Sequence, residues 1–529
     1  MIGATLAVDR RSDLAPAFDL DGLTLDGVRA GALRGRSVAV LGFARSGIAL
    51  ARFFTDAGAR VTIYDARPDE ELTASVAALD GRQARLRLGP AIDPEAAWAG
   101  ADLIATSPSI NPDYPTTEPR LRGALRALVS RRAAGDPSAP PIVSEPDLVL
   151  RLCRAPTVGV TGTKGKTTTS ALTAALLAGA RRHPVALGGN IGDPLVDRLL
   201  TLTPSHRVVI ELSELQLPTL SRGTTVAAYT NVTSDHLDRH GSLDAYRAAK
   251  RRLAELVDPD GALVLNMDDA VVAGFEGPRG TQTVFYRTDR PVPGGIGLKD
   301  GWIVAAGVAR LAIEGCGLAT TGPKGRILPI RELAIPGRHN VSNALAAVAV
   351  ALLFGVAPRA IRAAARGFQG VEHRLEHVAE IDGVRFINDS QGTQPDAVIA
   401  ALRAFDAPVV LIAGGRDKDV DLRPLAPVVA ERAAAAVLIG ESGPTLERLF
   451  RDAGIARADR AATLDDAVRL ADAIAREIKA PGQVATVLLS PAAASFDMFV
   501  DYADRGRAFK RAVADLAAER SSRTGEEAR

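Results

Sequence analysis

Residues 158–170 read VGVTGTKGKTTTS, and their types point to phosphate chemistry. A loop that holds phosphate needs inward backbone N–H groups, a helix N-terminus behind them and a lysine for the outer phosphates. Gly162 and Gly165 supply the permissive backbone, Lys166 the charge and Thr167 a hydroxyl able to bind Mg²⁺, with Thr163, Lys164 and Thr168 completing the loop. In the widespread pattern G-x-x-x-x-G-K-[ST] the first glycine would fall at Val160, so the standard spacing is not met. A glycine turn with an accidental lysine is the competing reading. The apolar strand VGV before the loop and the helix TSALTAALLAG after it argue against that alternative.

The elements that must position this loop are legible as three α/β segments. The first runs from Ser37: strand VAVLGF, turn ARSG, helix IALARFFTDAG closed at Gly58, then strand RVTIYD. Strand, glycine turn, helix and strand within about 30 residues imply a parallel sheet. Strand ADLIATS follows, and AAGDPSAPP at 133–141 looks like a flexible connector. The second segment holds the phosphate loop and strands HRVVIEL, TVAAYTNV and GALVLN; the third holds VRFIND, APVVLIAG, AAVLIG and VATVLLS. The expected fold class is α/β in three consecutive domains: Rossmann-like, central P-loop ATPase-type with a parallel sheet, and C-terminal Rossmann-like. The predicted boundaries are a leader 1–35, domains 36–153, 154–334 and 335–517, and a disordered polar tail 518–529. No internal repeat is evident.

The chain has 529 residues, beyond what one hydrophobic core usually supports. A net charge of +2 suggests neither nucleic acid nor an anionic membrane as partner. Two cysteines, Cys153 and Cys316, make no disulfide framework and no metal-ligand spacing, which fits a reducing compartment. The N-terminal twenty residues lack an apolar core of signal-peptide length. The run Ala344 to Ala357, 14 residues long, is too short to span a bilayer and reads as a buried helix. A cytoplasmic protein is expected.

Thr161-Gly-Thr-Lys-Gly-Lys-Thr167 resembles the loop T-G-T-N-G-K-T of the Mur ligase family, ATP-dependent amide ligases of peptidoglycan synthesis, with Lys164 in the asparagine place. Other family motifs follow in order. Asn190-Ile-Gly-Asp-Pro194 is similar to N-I-G-x-P, Glu211-Leu-Ser-Glu-Leu-Gln-Leu217 to E-L-S-S-F-Q-L, and Asn231 to Arg239 to N-V-[ST]-x-D-H-x-D-R. Tyr246-Arg-Ala-Ala-Lys250, Ile335 to Asn343 and Glu372-His-Arg-Leu-Glu376 also match, so the resemblance covers roughly residues 36–510.

What the resemblance implies is activation of a carboxylate by ATP as an acyl phosphate, then attack by an incoming amine. Two anions must meet, so cationic screening dominates. Lys166 and a Mg²⁺ near Thr167 and Glu211 would supply it, with His236 helping to hold a second Mg²⁺. Lys250 is the position carbamylated in the family, which converts an ammonium into an anionic oxygen ligand that hard cations prefer. Taken alone, it would read as a solvated lysine on an amphipathic helix. Arg374 and Asn340 are expected to contact ATP, with Asn343 nearby and Asp389 placed for the ribose. For the two asparagines, helix capping is the competing reading. Nucleotide contacts from two domains imply closure over the acyl phosphate.

Gly42-Phe-Ala-Arg-Ser-Gly47 followed by Asp65 imitates a dinucleotide fingerprint, but Ala44 replaces its middle glycine. The stretch instead resembles the UDP-holding elements of the glutamate-adding branch, with Ser46, Asp65, Arg67, Ser107 and Asn190 as candidate UDP-substrate contacts. This implies UDP-N-acetylmuramoyl-L-alanine as donor. Candidate acceptor contacts are Gln391, Thr393, Lys418, Ser495, Phe496 and Tyr502; a surface lysine beside a glycine turn is the bland reading of Lys418. One departure stands out: the family's N-D-S-K-A-T-N is here Asn388-Asp-Ser-Gln-Gly-Thr-Gln394, with Gln391 in place of lysine. The resemblance implies D-glutamate as the acceptor; a charge-assisted bond is about twice as strong as a neutral one, so the loss of the lysine leaves L-glutamate open. A related ligase with another acceptor, a non-catalytic nucleotide-binding regulator and a nicotinamide oxidoreductase are the competing functions. A monomer acting on small molecules is expected.

Overall fold

Three sheets organise the chain in a computed structural model that describes residues 18–233, 242–335, 337–416, 421–495 and 497–527, with the side chains of 396 and 522–527 left aside. The first sheet has strands β1 (Ser37–Leu41), β2 (Arg60–Asp65), β3 (Arg85–Leu88), β4 (Leu103–Thr106) and β5 (Ile142–Ser144). All are parallel, in the order β3-β2-β1-β4-β5. The order reverses between β1 and β4, and such a switch point opens a crevice at the carboxyl ends of the strands. The stretch 133–141 expected as a connector follows a helix, Pro119–Ala133, whose Leu121, Leu125 and Leu128 are buried.

The second sheet contains β6 (Thr157–Thr161), β7 (Val185–Gly189), β8 (Arg207–Glu211), β9 (Val226–Tyr229), β10 (Ala262–Asn266), β11 (Gln282–Tyr286), β12 (Ile296–Lys299), β13 (Trp302–Ala305) and β14 (Arg326–Pro329). Its order is β14-β13-β12-β11-β10-β9-β6-β8-β7. From β7 through β12 the neighbours pair parallel, with β6, β8, β9 and β10 buried at every position, whereas β12, β13 and β14 form an antiparallel edge. β6 lies centrally between β9 and β8, a second switch point.

The third sheet contains β15 (Glu376–Ile381), β16 (Val384–Asn388), β17 (Val409–Gly414), β18 (Ala435–Ile439), β19 (Ala458–Arg460) and β20 (Ala485–Leu489), ordered β15-β16-β20-β17-β18-β19. Only β15 runs antiparallel to its neighbour.

The chain groups into two compact units, one of residues 1–333 and 338–366, the other of 334–337 and 367–529. This differs from the sequence expectation at the start of the third domain and at the tail. The apolar helix Arg338–Leu353, expected to open a third domain at 335, packs with the first unit against Lys166–Gly179, buried from Asn343 to Leu353. The leader is folded from its described residues onward: Leu20, Leu23, Leu25, Val28 and Leu33 join one apolar cluster with β1 and β8. The tail expected to be disordered continues the helix Tyr502–Glu527. Arg520 pairs with Asp472 and, at 3.0 Å, with Asp382, and Arg469 with Glu519 at 2.6 Å, so tertiary ion pairs hold a segment whose composition alone lacks apolar surface.

Candidate active site

The turn after β6 begins at Gly162 (φ +148°) and ends at Gly165 (φ +86°), which caps the helix Lys166–Gly179 without a side-chain bond. A Cβ at Gly165 would collide with Asn343 Oδ1, so only glycine brings the loop this close to the helix Arg338–Leu353. Asn343 Nδ2 donates to Asn340 Oδ1 at 3.0 Å, placing both asparagines on the phosphate-loop side of the first unit.

Asn231, just after β9, ties the loop down. Its carbonyl accepts from Thr163 N at 2.7 Å, its Oδ1 from Lys164 N at 3.0 Å, and its Nδ2 donates to the Lys164 carbonyl at 2.9 Å. Thr163 Oγ1 meets Tyr246 Oη at 2.9 Å. The Lys166 ammonium donates to the carbonyls of Gly162 (3.0 Å) and Thr163 (2.9 Å), so its charge lies inside the turn. Thr167 is buried and Thr168 half-buried in the first helical turn.

Lys250 lies on the helix Leu243–Leu256, whose N-cap Ser242 accepts from Ala245 N at 3.1 Å. The lysine is 0% exposed. Its Nζ donates to Thr161 Oγ1 at 3.2 Å and Gly162 O at 3.0 Å, and it lies 5.5 Å from the Tyr246 ring centroid. The solvated-lysine reading therefore does not hold. Glu211 ends β8 and is 1% exposed. Asn190 Nδ2 donates to Glu211 Oε1 at 2.8 Å, whereas Oε2 has no hydrogen-bond partner among the described residues. An orphaned carboxylate oxygen beside Thr167's loop fits a hard cation such as Mg²⁺. Among the described residues no cluster of three His, Cys, Asp or Glu converges, so such an ion would be completed by hydroxyl, phosphate or water oxygens. His236, Lys418 and Phe496 lie outside the described residues.

At the first switch point Asp65, closing β2, accepts from Phe43 N at 2.8 Å and from Arg67 N at 3.0 Å, and the Arg67 guanidinium grips it in a two-pronged pair at 3.0 and 2.8 Å. Burial pushes the Asp65 carboxyl up, but the Arg67 side chain and these backbone N–H groups outweigh it and hold it below its ordinary value. Ser46 lies in the first turn of the helix Arg45–Asp56, and Ser107 follows β4, its side chain facing the Gly42 turn. Asn190's carbonyl accepts from Arg45 at 3.4 Å, so it bridges the two sheets of the first unit.

In the second unit, the loops after β16, β20 and β17 carry the remaining candidates. Asp389 accepts from Ser490 Oγ at 2.7 Å and Leu375 N at 3.2 Å; burial pushes its carboxyl up to about 6 against the pull of Ser490 and Arg374. Arg374 is exposed and follows His373, a buried residue with a left-handed backbone (φ +64°) whose Nδ1 meets Asn388 Nδ2 at 3.0 Å. Gln391 N donates to His373 O at 3.0 Å, Thr393 N to Gln391 O at 2.8 Å, and Ser390 Oγ to Tyr502 O at 2.7 Å. Ser495 is buried. Sequence reasoning assigned no role to Asn231, Thr161, Tyr246, Ser390 or Arg505. The first four lie in or beside motifs it quoted; Arg505 carries no local signal at all.

Residues 160–351 match the family model for the Mur ligase middle domain, and residues 373–493 that for the Mur ligase glutamate ligase domain. Over 486 residues the chain is 37% identical to the UDP-N-acetylmuramoylalanine–D-glutamate ligase of Pelotomaculum thermopropionicum, a match spanning 91% of this chain and 98% of that protein. The chain belongs to the Mur ligase family. A protein of the same name from Symbiobacterium thermophilum is 39% identical over 481 residues, 90% of this Mur ligase and 98% of the relative. Among solved structures, the UDP-N-acetylmuramate-alanine ligase of Thermotoga maritima superposes with a TM-score of 0.54 at 20% identity, covering 91% of this Mur ligase and 99% of that chain, which shows the shared fold. No helix among the described residues is long and apolar enough to cross a membrane.

Proposed function

We propose that this Mur ligase adds D-glutamate to UDP-N-acetylmuramoyl-L-alanine in peptidoglycan precursor synthesis, with ATP converted to ADP and phosphate through an acyl phosphate. The observation that carries the reading is likeness over about nine-tenths of the chain to relatives bearing that activity in their names. The site's chemistry supports it. Ser46, Asp65, Arg67, Ser107 and Asn190 are read as donor contacts. Gly162 to Thr168 with Asn340 and Asn343 are read as the nucleotide cradle, and Arg374 and Asp389 as further ATP contacts.

Lys166 is read as the phosphate-facing cation: two carbonyls now hold its ammonium, and an arriving phosphate oxygen offers it a stronger, charged acceptor. Thr167, Glu211, His236 and carbamylated Lys250 are the Mg²⁺ ligands of this reading, supported for Glu211 by its orphaned Oε2. Bound Mg²⁺ supplies charge screening between the two anions that must meet. Gln391, Thr393, Lys418, Ser495, Phe496 and Tyr502 are read as the acceptor site. The protein is taken to act as a monomer in the cytoplasm.

A second reading, L-glutamate as acceptor, is favoured by one observation, the neutral Gln391 in the acceptor loop. Phosphate release with ATP, Mg²⁺ and the UDP donor separates the two. Turnover with D-glutamate is expected. Turnover with L-glutamate alone would make the Gln391 loop a stereochemical determinant, and silence with both would overturn the substrate pair.

A further inference from the structure

Arg505, on the C-terminal helix, is 0% exposed. A charge in that position is costly unless every donor is satisfied. Four of its five N–H donors meet neutral oxygens: Nε donates to Ser390 Oγ at 3.0 Å, one terminal nitrogen to Ser390 O at 3.0 Å, and the other to the carbonyls of Ala493 and Ala494 at 3.2 Å each. Ser390 Oγ in turn donates a hydrogen bond to Tyr502 O at 2.7 Å. Among the described residues no carboxylate hydrogen-bonds to this guanidinium, and Asp497 acts on it only through space. Burial draws its pKa down to about 10, which leaves it a cation at neutral pH.

The attachments are selective. Ser390 immediately precedes Gln391, Ala494 immediately precedes Ser495, and Tyr502 is bonded to Ser390 directly. One planar fork thus fixes the loop after β16, the loop after β20 and the start of the C-terminal helix. Gly392 and the run Ala492-Ala-Ala494 have no polar side chains with which to lock themselves, so the fork supplies the geometry these loops lack. A lysine, with one ammonium, could not span the same set of oxygens.

We infer that Arg505 is a positioning residue for the amino-acid acceptor, holding the Gln391 and Ser495 loops in register. Its cation, hydrogen-bonded to no carboxylate among the described residues and opposed only through space by Asp497, biases the space between them toward a carboxylate. The inference rests on the acceptor site proposed above. The test is steady-state kinetics on the full chain with R505K, R505M and S390A, each checked for its thermal unfolding midpoint. For R505K the KM for glutamate is expected to rise about tenfold or more, with the KM values for ATP and the UDP donor within about twofold of the parent. S390A, which keeps Arg505 and removes one of its partners, is expected to shift the glutamate KM the same way by about threefold.

An unchanged glutamate KM in the folded variants, or all three KM values rising together, overturns the inference. Should R505K and R505M fail to fold, S390A decides by the same criterion. A parent enzyme inactive with both glutamate enantiomers overturns the function reading and the acceptor role with it, whereas an active parent with indifferent variants overturns only the role of Arg505.

Discussion

Glu211 shows how one buried side chain divides its labour. One oxygen is held by Asn190 at 2.8 Å and the other has no partner among the described residues, an arrangement that wastes a hydrogen bond unless a cation completes it. Glu211→Gln keeps the shape and the Asn190 contact but removes the charge. Phosphate release at fixed Mg²⁺ is expected to fall on the order of 100-fold, with a higher Mg²⁺ concentration needed for half-maximal rate. A Mg²⁺ titration indistinguishable from that of the parent would remove Glu211 from the metal site. Lys250 is the contrasting case: buried among Thr161, Gly162 and Tyr246, it belongs to the phosphate-loop shell whatever its covalent state.

At the scale of the element, the helix Glu145–Leu152 joins the first sheet to the second. Its first residue, Glu145, is buried, and burial pushes its carboxyl up to about 7 despite the N–H of Val196 and the charge of Arg45. The folded chain therefore holds that proton more tightly than the unfolded chain, whose ordinary value is 4.5. The resulting penalty is absent below about 4.5, grows as pH rises and is complete above about 7. Glu145→Gln is expected to raise the thermal midpoint at pH 8, by a stability gain on the order of 2 kcal/mol, and the gain should vanish near pH 4.5. A pH-independent difference between the two proteins would contradict this. Two residues on, Asp147 accepts from Ser221 N at 2.7 Å and from Arg151 at 2.8 Å, so the same helix is latched to the loop before β9.

At the scale of the whole molecule, the folded leader changes how the first unit is built. Arg151 reaches Asp21 at 2.7 Å, Arg154 pairs with Asp26, and Arg29 donates to the carbonyls of Leu200 (2.8 Å) and Leu202 (3.2 Å). The strap thereby binds two sheets into one apolar cluster. Leu25→Ala is expected to destabilise the chain by about 2–4 kcal/mol, read from urea unfolding; a loss below about 0.5 kcal/mol, the range of a surface change, would mean the strap is not part of the core. The sequence by itself determined the α/β class, the strand–loop–helix around Lys166 and the order of the motifs, because apolar runs, glycine turns and contiguous ligand sets are local properties. The tertiary structure alone decided that the helix Arg338–Leu353 belongs with the phosphate loop, that the described parts of the leader and tail pack onto distant elements, and that Arg505 ties together the loops after β16 and β20. Those outcomes depend on which distant apolar faces and charges meet, and a linear pattern carries no information about partners tens of residues to more than a hundred residues away.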